Sequence, residues 1–205
     1  MAKFTQRQAR KWSDNTVGHS SKNNISARLA AHDGYHTPRI AVKELLRHED
    51  FSRRIWEPAN GYHRISRVLE RAGHRVYTSD IKLWCKRTQR RRDFLRFRRM
   101  PTTRPCDIIT NPPFSLGQQF VEQSMRLLPE GGKLALLLRL QFMEGIKRKL
   151  LIYDKMPPLR IWVFSYRLPR MHRFGHKGKK STSVLCFAWF IWRKGYRGPT
   201  EVKWI

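Results

Sequence analysis

The sequence predicts an α/β domain in three layers, a mainly parallel sheet between helices, and three observations predict it. From His36 onward, apolar runs of strand length alternate with amphipathic runs of helix length. Within that alternation, Arg54–Glu57, a turn, a helix and His74–Asp80 form a β-loop-α-β unit whose second strand ends in an acid twenty-three positions after Glu57. That is the layout of a crevice at the carboxyl ends of parallel strands. Finally, the apolar run Asp107-Ile108-Ile109-Thr110 passes directly into Asn111-Pro112-Pro113-Phe114.

Each element has its own local cause. Thr37-Pro38 is a helix start with proline in the first turn, and Ile40, Val42, Leu45 and Leu46 give that helix an apolar face. Arg54–Glu57 is a short strand that ends at the turn Pro58-Ala59-Asn60-Gly61. Ile65, Val68 and Leu69 face the core from the next helix, which Gly73 closes. Residues 82–106 hold ten Lys or Arg, interrupted by Asp93-Phe94-Leu95. A helix carrying Phe120, Val121, Met125, Leu127 and Leu128 follows Phe114 and stops at Pro129-Glu130-Gly131-Gly132. Lys133–Leu138 is a buried strand, Gly145–Tyr153 is helical, and Arg160–Phe164 and Ser183–Trp192 are aromatic-rich strands separated by a basic loop. Trp56, Trp189 and Trp192 lie in apolar strands and are expected in the core. Residues 1–34 read as a basic, polar arm, flexible or folding onto a partner, and residues 35–205 as the folded domain.

Composition narrows the partner. Lys and Arg number 43 against 15 Asp and Glu, a formal charge of +28, which favours a polyanion such as DNA or RNA. The arginine run Arg90-Arg91-Arg92 and the loop lysines Lys177, Lys179 and Lys180 are the candidate phosphate contacts. Three widely spaced cysteines form no C-x-x-C pair, and the eight histidines lack ligand spacing, so no metal site is expected. No apolar run is long enough to span a bilayer, and the polar N-terminus has no secretory character. The expectation is a cytoplasmic protein without membrane contact.

Asn111-Pro112-Pro113-Phe114 suits one chemistry in particular. The lone pair of an exocyclic amine on adenine is delocalised into the ring, which makes the nitrogen a poor nucleophile. Two acceptors on its two N–H groups, the Asn111 side-chain carbonyl and the Pro112 backbone carbonyl, would favour a pyramidal, reactive nitrogen. The prolines fix the backbone that presents them, and Phe114 offers a ring on which an extruded base stacks. Positioning rather than a strong base would carry the reaction.

At these residues the chain resembles the S-adenosylmethionine-dependent amino-methyltransferases that modify adenine N6 in DNA, whose catalytic tetrapeptide is Asn/Asp-Pro-Pro-Tyr/Phe. The resemblance covers residues 35–205. Tyr35-His36-Thr37-Pro38 is similar to the segment before that family's cofactor loop, Ile55-Trp56-Glu57-Pro58-Ala59 to its first strand, and Ala72-Gly73-His74 to the turn after the next helix. The tail, with Phe187-Ala188-Trp189-Phe190, resembles small phage-type members. The resemblance implies a Rossmann-like methyltransferase fold with an antiparallel strand near the C-terminus, and S-adenosylmethionine as cofactor. It also implies that Thr37, Glu57, Ala59, Gly61, Asp80 and Asp93 hold the cofactor, Asp80 at the ribose hydroxyls and Asp93 at the adenine amine. Asn111, Pro112, Pro113 and Phe114 would hold the target.

One departure bears on activity. The family's loop reads Glu-Pro-Ala-Cys-Gly-x-Gly, and here it reads Glu57-Pro58-Ala59-Asn60-Gly61-Tyr62-His63. His63 stands where the second glycine belongs, a position expected to take positive φ with about 1–3 kcal/mol of strain for other residues. Its imidazole is expected to crowd the cofactor's methionine pocket. A catalytically degenerate protein that binds nucleic acid on the same scaffold is therefore the competing reading, with methylation of RNA or of a glutamine amide as a third.

Overall fold

The computed structural model describes residues 35–86, 88–169 and 185–205. The basic arm 1–34 and the loop lysines Lys177, Lys179 and Lys180 lie outside the described residues. Eight strands form one sheet in the order β3-β2-β1-β4-β5-β7-β6-β8. They are β1 Arg54–Glu57, β2 Arg75–Asp80, β3 Arg90–Arg91, β4 Asp107–Thr110, β5 Lys133–Arg139, β6 Arg160–Val163, β7 Phe187–Arg193 and β8 Glu201–Trp204. The first five are parallel throughout. β7 inserts antiparallel between β5 and β6, and β8 adds parallel to β6.

The sheet is buried on both faces because its central strands are apolar at consecutive positions. Trp56, Ile108, Leu134 and Leu136 point to one face and pack with Phe120 and Val121 of helix α3 (Gly117–Leu127). Their neighbours Ile55, Ile109, Ala135 and Leu137 point to the other face. There they meet α1 (Arg39–His48) and α2 (Ser66–Arg71) through Leu45, Val68 and Leu69. This is the expected three-layer arrangement. Trp56, Trp189 and Trp192 are all buried, as expected of core residues.

Boundaries differ in instructive places. Pro38 caps α1 from outside, at φ −63° and ψ 139°, and helical geometry begins at Arg39. Gly145–Tyr153 splits into a single α turn, α4 (Ile146–Arg148), and a π turn over Lys149–Tyr153. β3 and β8 have no sequence signal: both arginines of β3 and all four residues of β8 are exposed, so backbone pairing alone defines them.

Asp107 explains why the β4 run opens with an acid. At the end of the sheet away from the strand tips, Oδ2 accepts the Ser52 N–H at 2.6 Å and Oδ1 accepts the Lys133 N–H at 2.8 Å. The Asp107 N–H donates to the Ser52 hydroxyl at 3.0 Å. One carboxylate thus pins the starts of β1 and β5 to β4. Hydrogen bonds to a charged group contribute about 1.5–3 kcal/mol each and leave orphaned donors when removed. Asp107→Ala is expected to lower stability by about 2–4 kcal/mol, read as a fall of roughly 5–15 °C in the melting midpoint.

Candidate active site

The strand order reverses direction at β1, with β2 on one side and β4 on the other, and a crevice opens beyond the strands' carboxyl ends. Glu57 ends β1, Asp80 ends β2, Asn111 follows β4 and Arg139 ends β5. Residues far apart in the chain meet at this rim because parallel strands all finish on the same edge. A cleft of about 830 Å³, counting its open mouth, occupies the crevice. Thr37, Glu57, Ala59, Gly61, Asp80, Asp93, Asn111 and Pro113 all line it, so the structure brings together nearly every residue expected at the cofactor and the target.

Three acids, Glu57, Asp80 and Asp93, line the cleft beside two cations, Arg64 and Lys82. Glu57, only 1% exposed, accepts the Ser66 N–H at the start of α2 at 2.8 Å. Burial pushes its carboxyl well above the ordinary range, the charges of Asp80 and Glu70 add to the rise, and the Ser66 bonds oppose it. Burial likewise raises Asp80, against backbone N–H donors and the Trp84 indole. Asp93 caps a 3-10 turn (Phe94–Arg96) by accepting the Leu95 N–H at 3.0 Å.

Asn111 carries the most telling feature. Its Nδ2 donates to the Thr37 hydroxyl at 3.0 Å, which fixes the amide plane, while its Oδ1 is buried and has no hydrogen-bond partner among the described residues. A buried acceptor without a donor is uncommon and destabilising. Here the residue that carries it lines the cleft. Pro112 is buried behind it, and the Pro113 carbonyl accepts the Leu116 N–H at 2.9 Å, closing the turn into α3.

Phe114 is placed differently from the expectation. It lines a second depression on the other side of the turn, and its ring is already engaged. The Arg139 guanidinium lies 4.7 Å from its centroid, Tyr35 5.1 Å and Phe187 5.6 Å.

His63 also corrects an expectation. It is the one described residue other than glycine at positive φ, 59°, as the glycine position demands. Its imidazole does not crowd the cleft: it is buried, with Nδ1 2.7 Å from the Ser66 hydroxyl, and it does not line the cleft. Histidine is among the side chains that tolerate this backbone region best.

The stronger obstruction is Trp84, which nothing in the sequence singles out. Its indole N–H donates to Asp80 Oδ1 at 3.1 Å. Lys82 N–H shares that oxygen at 2.9 Å, Gly61 N–H donates to Oδ2 at 2.9 Å, and the Ile81 N–H contributes as well. A carboxylate has about four acceptor sites, so Asp80 is filled, and among the described residues Trp84 is the only side chain that donates to it. Trp84→Phe keeps a ring and removes that donor. It is expected to tighten S-adenosylhomocysteine binding by about tenfold, close to 1.4 kcal/mol, in calorimetric titration; unchanged affinity would show that Asp80 does not meet the ligand.

Arg90 and Arg91 form the edge strand β3, with Arg91 in register with Asp80, so the basic run stands on the same rim as the cleft. Arg92 is exposed, donates to the Arg96 carbonyl at 3.1 Å and lies 4.9 Å over the Phe97 ring.

No family model matches the sequence, and no curated protein matches it. Solved structures do share the fold. One is the type I restriction-modification system methyltransferase subunit from Streptococcus thermophilus, with TM-score 0.56 and 11% identity over 80% of this chain and 46% of that one. A protein from Pyrococcus horikoshii described as an RNA methyltransferase gives TM-score 0.53 and 14% identity over 85% of this chain and 99% of that one. A Listeria monocytogenes protein described as a class I S-adenosylmethionine-dependent methyltransferase gives 0.51 and 15% over 97% and 70%. The chain thus spans about half the length of the first of these. The fold is that of the class I methyltransferases.

Proposed function

We propose that this chain transfers a methyl group from S-adenosylmethionine to the exocyclic N6 amine of adenine in DNA. The observation that carries the reading is the buried, unpartnered Oδ1 of Asn111 at the end of β4. Asn111 lines a cleft together with Glu57, Asp80 and Asp93. The donor set suits the cofactor. Three of the chain's fifteen acids line one cleft, against two cations, Arg64 and Lys82, and the cofactor brings positive charge together with hydroxyl and amine N–H donors. When bound, it supplies an electrophilic methyl on a sulfonium. Glu57 and the Ala59–Gly61 backbone would hold its methionine end, Asp80 its ribose and Asp93 its adenine amine, with Thr37 beside Asn111.

The protein's own part in the reaction is orientation. Asn111 Oδ1 accepts one N–H of the target amine and the Pro112 carbonyl accepts the other, which turns the nitrogen lone pair out of conjugation and toward the cleft. Thr37 keeps Oδ1 from rotating away. Two of the proteins that share the fold are named for restriction-modification and for RNA methylation, which suits a nucleic-acid substrate; the high positive charge agrees.

The filled acceptor sites of Asp80 favour a second reading, in which the scaffold binds nucleic acid without transferring methyl groups. One experiment separates them. The protein is incubated with methyl-labelled S-adenosylmethionine and unmethylated DNA or RNA, and the nucleic acid is digested to nucleosides. Label in N6-methyldeoxyadenosine is the expected result. Label only in RNA nucleosides would move the substrate. No label, with no binding of S-adenosylhomocysteine at millimolar concentration to folded protein, would establish the binding module.

A further inference from the structure

The depression beside Phe114 holds two guanidinium groups, those of Arg139 and Arg148. Both are fixed in place. Arg139 lies against the Phe114 ring and donates through Nη2 to the Tyr35 hydroxyl at 3.3 Å. Arg148 folds back over its own loop, with its guanidinium carbon 5.1 Å from the Phe142 ring centroid and Nη2 donating to the Glu144 carbonyl. The loop is shaped to receive it. Gly145 sits at φ 121°, and a Cβ there would lie 2.9 Å from Arg148 Nη2.

Among the described residues, neither arginine is neutralised. The ion pairs there use other cations, such as Arg160 with Glu49 and Lys149 with Asp154, and Glu144 at the rim pairs with neither. The Nε atoms of Arg139 and Arg148 are both buried without an acceptor. Two guanidinium groups that line one concavity, each with N–H groups left over, suit the chemistry of a phosphate, which accepts from guanidinium groups through paired oxygens. Ordinary surface arginines in a basic chain are solvated and mobile; these are held by rings, a hydroxyl and a glycine.

We infer that Arg139 and Arg148 form a binding site for a backbone phosphate of the nucleic acid strand that presents the target base. This rests on the proposed methyl transfer to a base in nucleic acid and names the contact that would hold the strand in register.

The test is the salt dependence of binding of a labelled, adenine-rich, single-stranded deoxyoligonucleotide, measured by fluorescence anisotropy. S-adenosylhomocysteine binding by calorimetry is the parallel readout. Removing one cation that neutralises a phosphate lowers the slope of log affinity against log salt by about 0.7 for a single strand. Arg148→Gln and Arg139→Gln are each expected to lower it by about that amount, and the double variant by about twice as much. Arg148→Lys keeps the charge and should recover much of the slope but not the full affinity. Gly145→Ala, which displaces the guanidinium without removing it, should weaken oligonucleotide binding as well. If Arg139→Gln fails to fold because Phe114 loses its cover, the Arg148 and Gly145 variants decide. Unchanged slopes with intact S-adenosylhomocysteine binding would overturn the phosphate site and leave the methyltransferase reading standing. Failure of wild-type protein to bind S-adenosylhomocysteine would instead strike that reading, whatever the slopes. Arginine-dependent binding of inorganic phosphate, with no arginine-dependent change in oligonucleotide affinity, would overturn the assignment to nucleic acid.

Discussion

Asn111→Ala is expected to lower the single-turnover rate of methyl transfer by about 10²–10³, while affinity for S-adenosylhomocysteine and for oligonucleotide stays within about twofold of wild type. Removing one preorganised hydrogen-bonding group from a reacting centre typically has an effect of that size. The side chain is well placed to be such a group, because Thr37 holds Nδ2 at 3.0 Å and leaves Oδ1 buried and unpartnered. The same geometry predicts the stability readout. Truncation removes an acceptor that is unsatisfied in the free protein but also the Nδ2 bond to Thr37, so the melting midpoint should change little. A fall in rate at constant stability separates a role in catalysis from a role in folding. Asn111→Asp retains an acceptor, with the Thr37 hydroxyl turning to donate, and is expected to keep more than about a tenth of the rate. Methylation by the alanine variant at the wild-type rate would remove Asn111 from the mechanism.

The sequence is informative wherever a residue's reason for being there is local. The alternation of apolar runs locates the central strands, because Ile55, Ile108, Ile109 and Leu134–Leu138 are buried on one face or the other. The acids at strand ends locate the crevice, because Glu57 and Asp80 close β1 and β2 at the carboxyl edge of the sheet. Interactions set by distant pairings are not legible. Trp84 reads as one aromatic in a basic stretch, and only the fold brings its indole to Asp80. Arg139 reads as the polar end of a buried strand. Its position over Phe114 depends on β5 lying beside β4 in the register Thr110 to Leu136. His63 reads correctly as a non-glycine residue in a glycine conformation, but the direction of its side chain does not follow from that. The direction depends on Ser66, three residues later, at the first turn of α2. β8 is the general case: an exposed edge strand with no buried face leaves no pattern to read.

Glu57→Gln is expected to make the ligand-free protein more stable and its cofactor binding weaker, and the two effects have one cause. Glu57 is fully buried, and burial first, with the charges of Asp80 and Glu70 after it, holds its carboxyl well above the ordinary value of 4.5. The folded state therefore keeps a proton that the unfolded chain has released. Between the two values the folded state binds more protons, so stability falls as pH rises. The contribution is complete below about pH 4.5 and is lost as pH climbs through the folded-state value. At higher pH an ionised carboxylate sits in the core, relieved only by the Ser66 bonds. Glutamine still accepts the Ser66 N–H without the charge, so the ligand-free variant should melt higher than wild type at neutral and alkaline pH. Each kcal/mol recovered raises the midpoint by about 2–4 °C in a chain of this size. The pH dependence of the midpoint should flatten correspondingly. A positively charged ligand reverses the balance, because it needs the ionised carboxylate that the empty fold disfavours. S-adenosylmethionine, with its sulfonium and ammonium, is expected to lose tenfold or more in affinity, about 1.4 kcal/mol. S-adenosylhomocysteine, lacking the sulfonium, should lose less. A variant that binds both as tightly as wild type would take Glu57 out of the ligand site. A variant whose melting midpoint follows pH as the wild type does would mean that another group carries the titration.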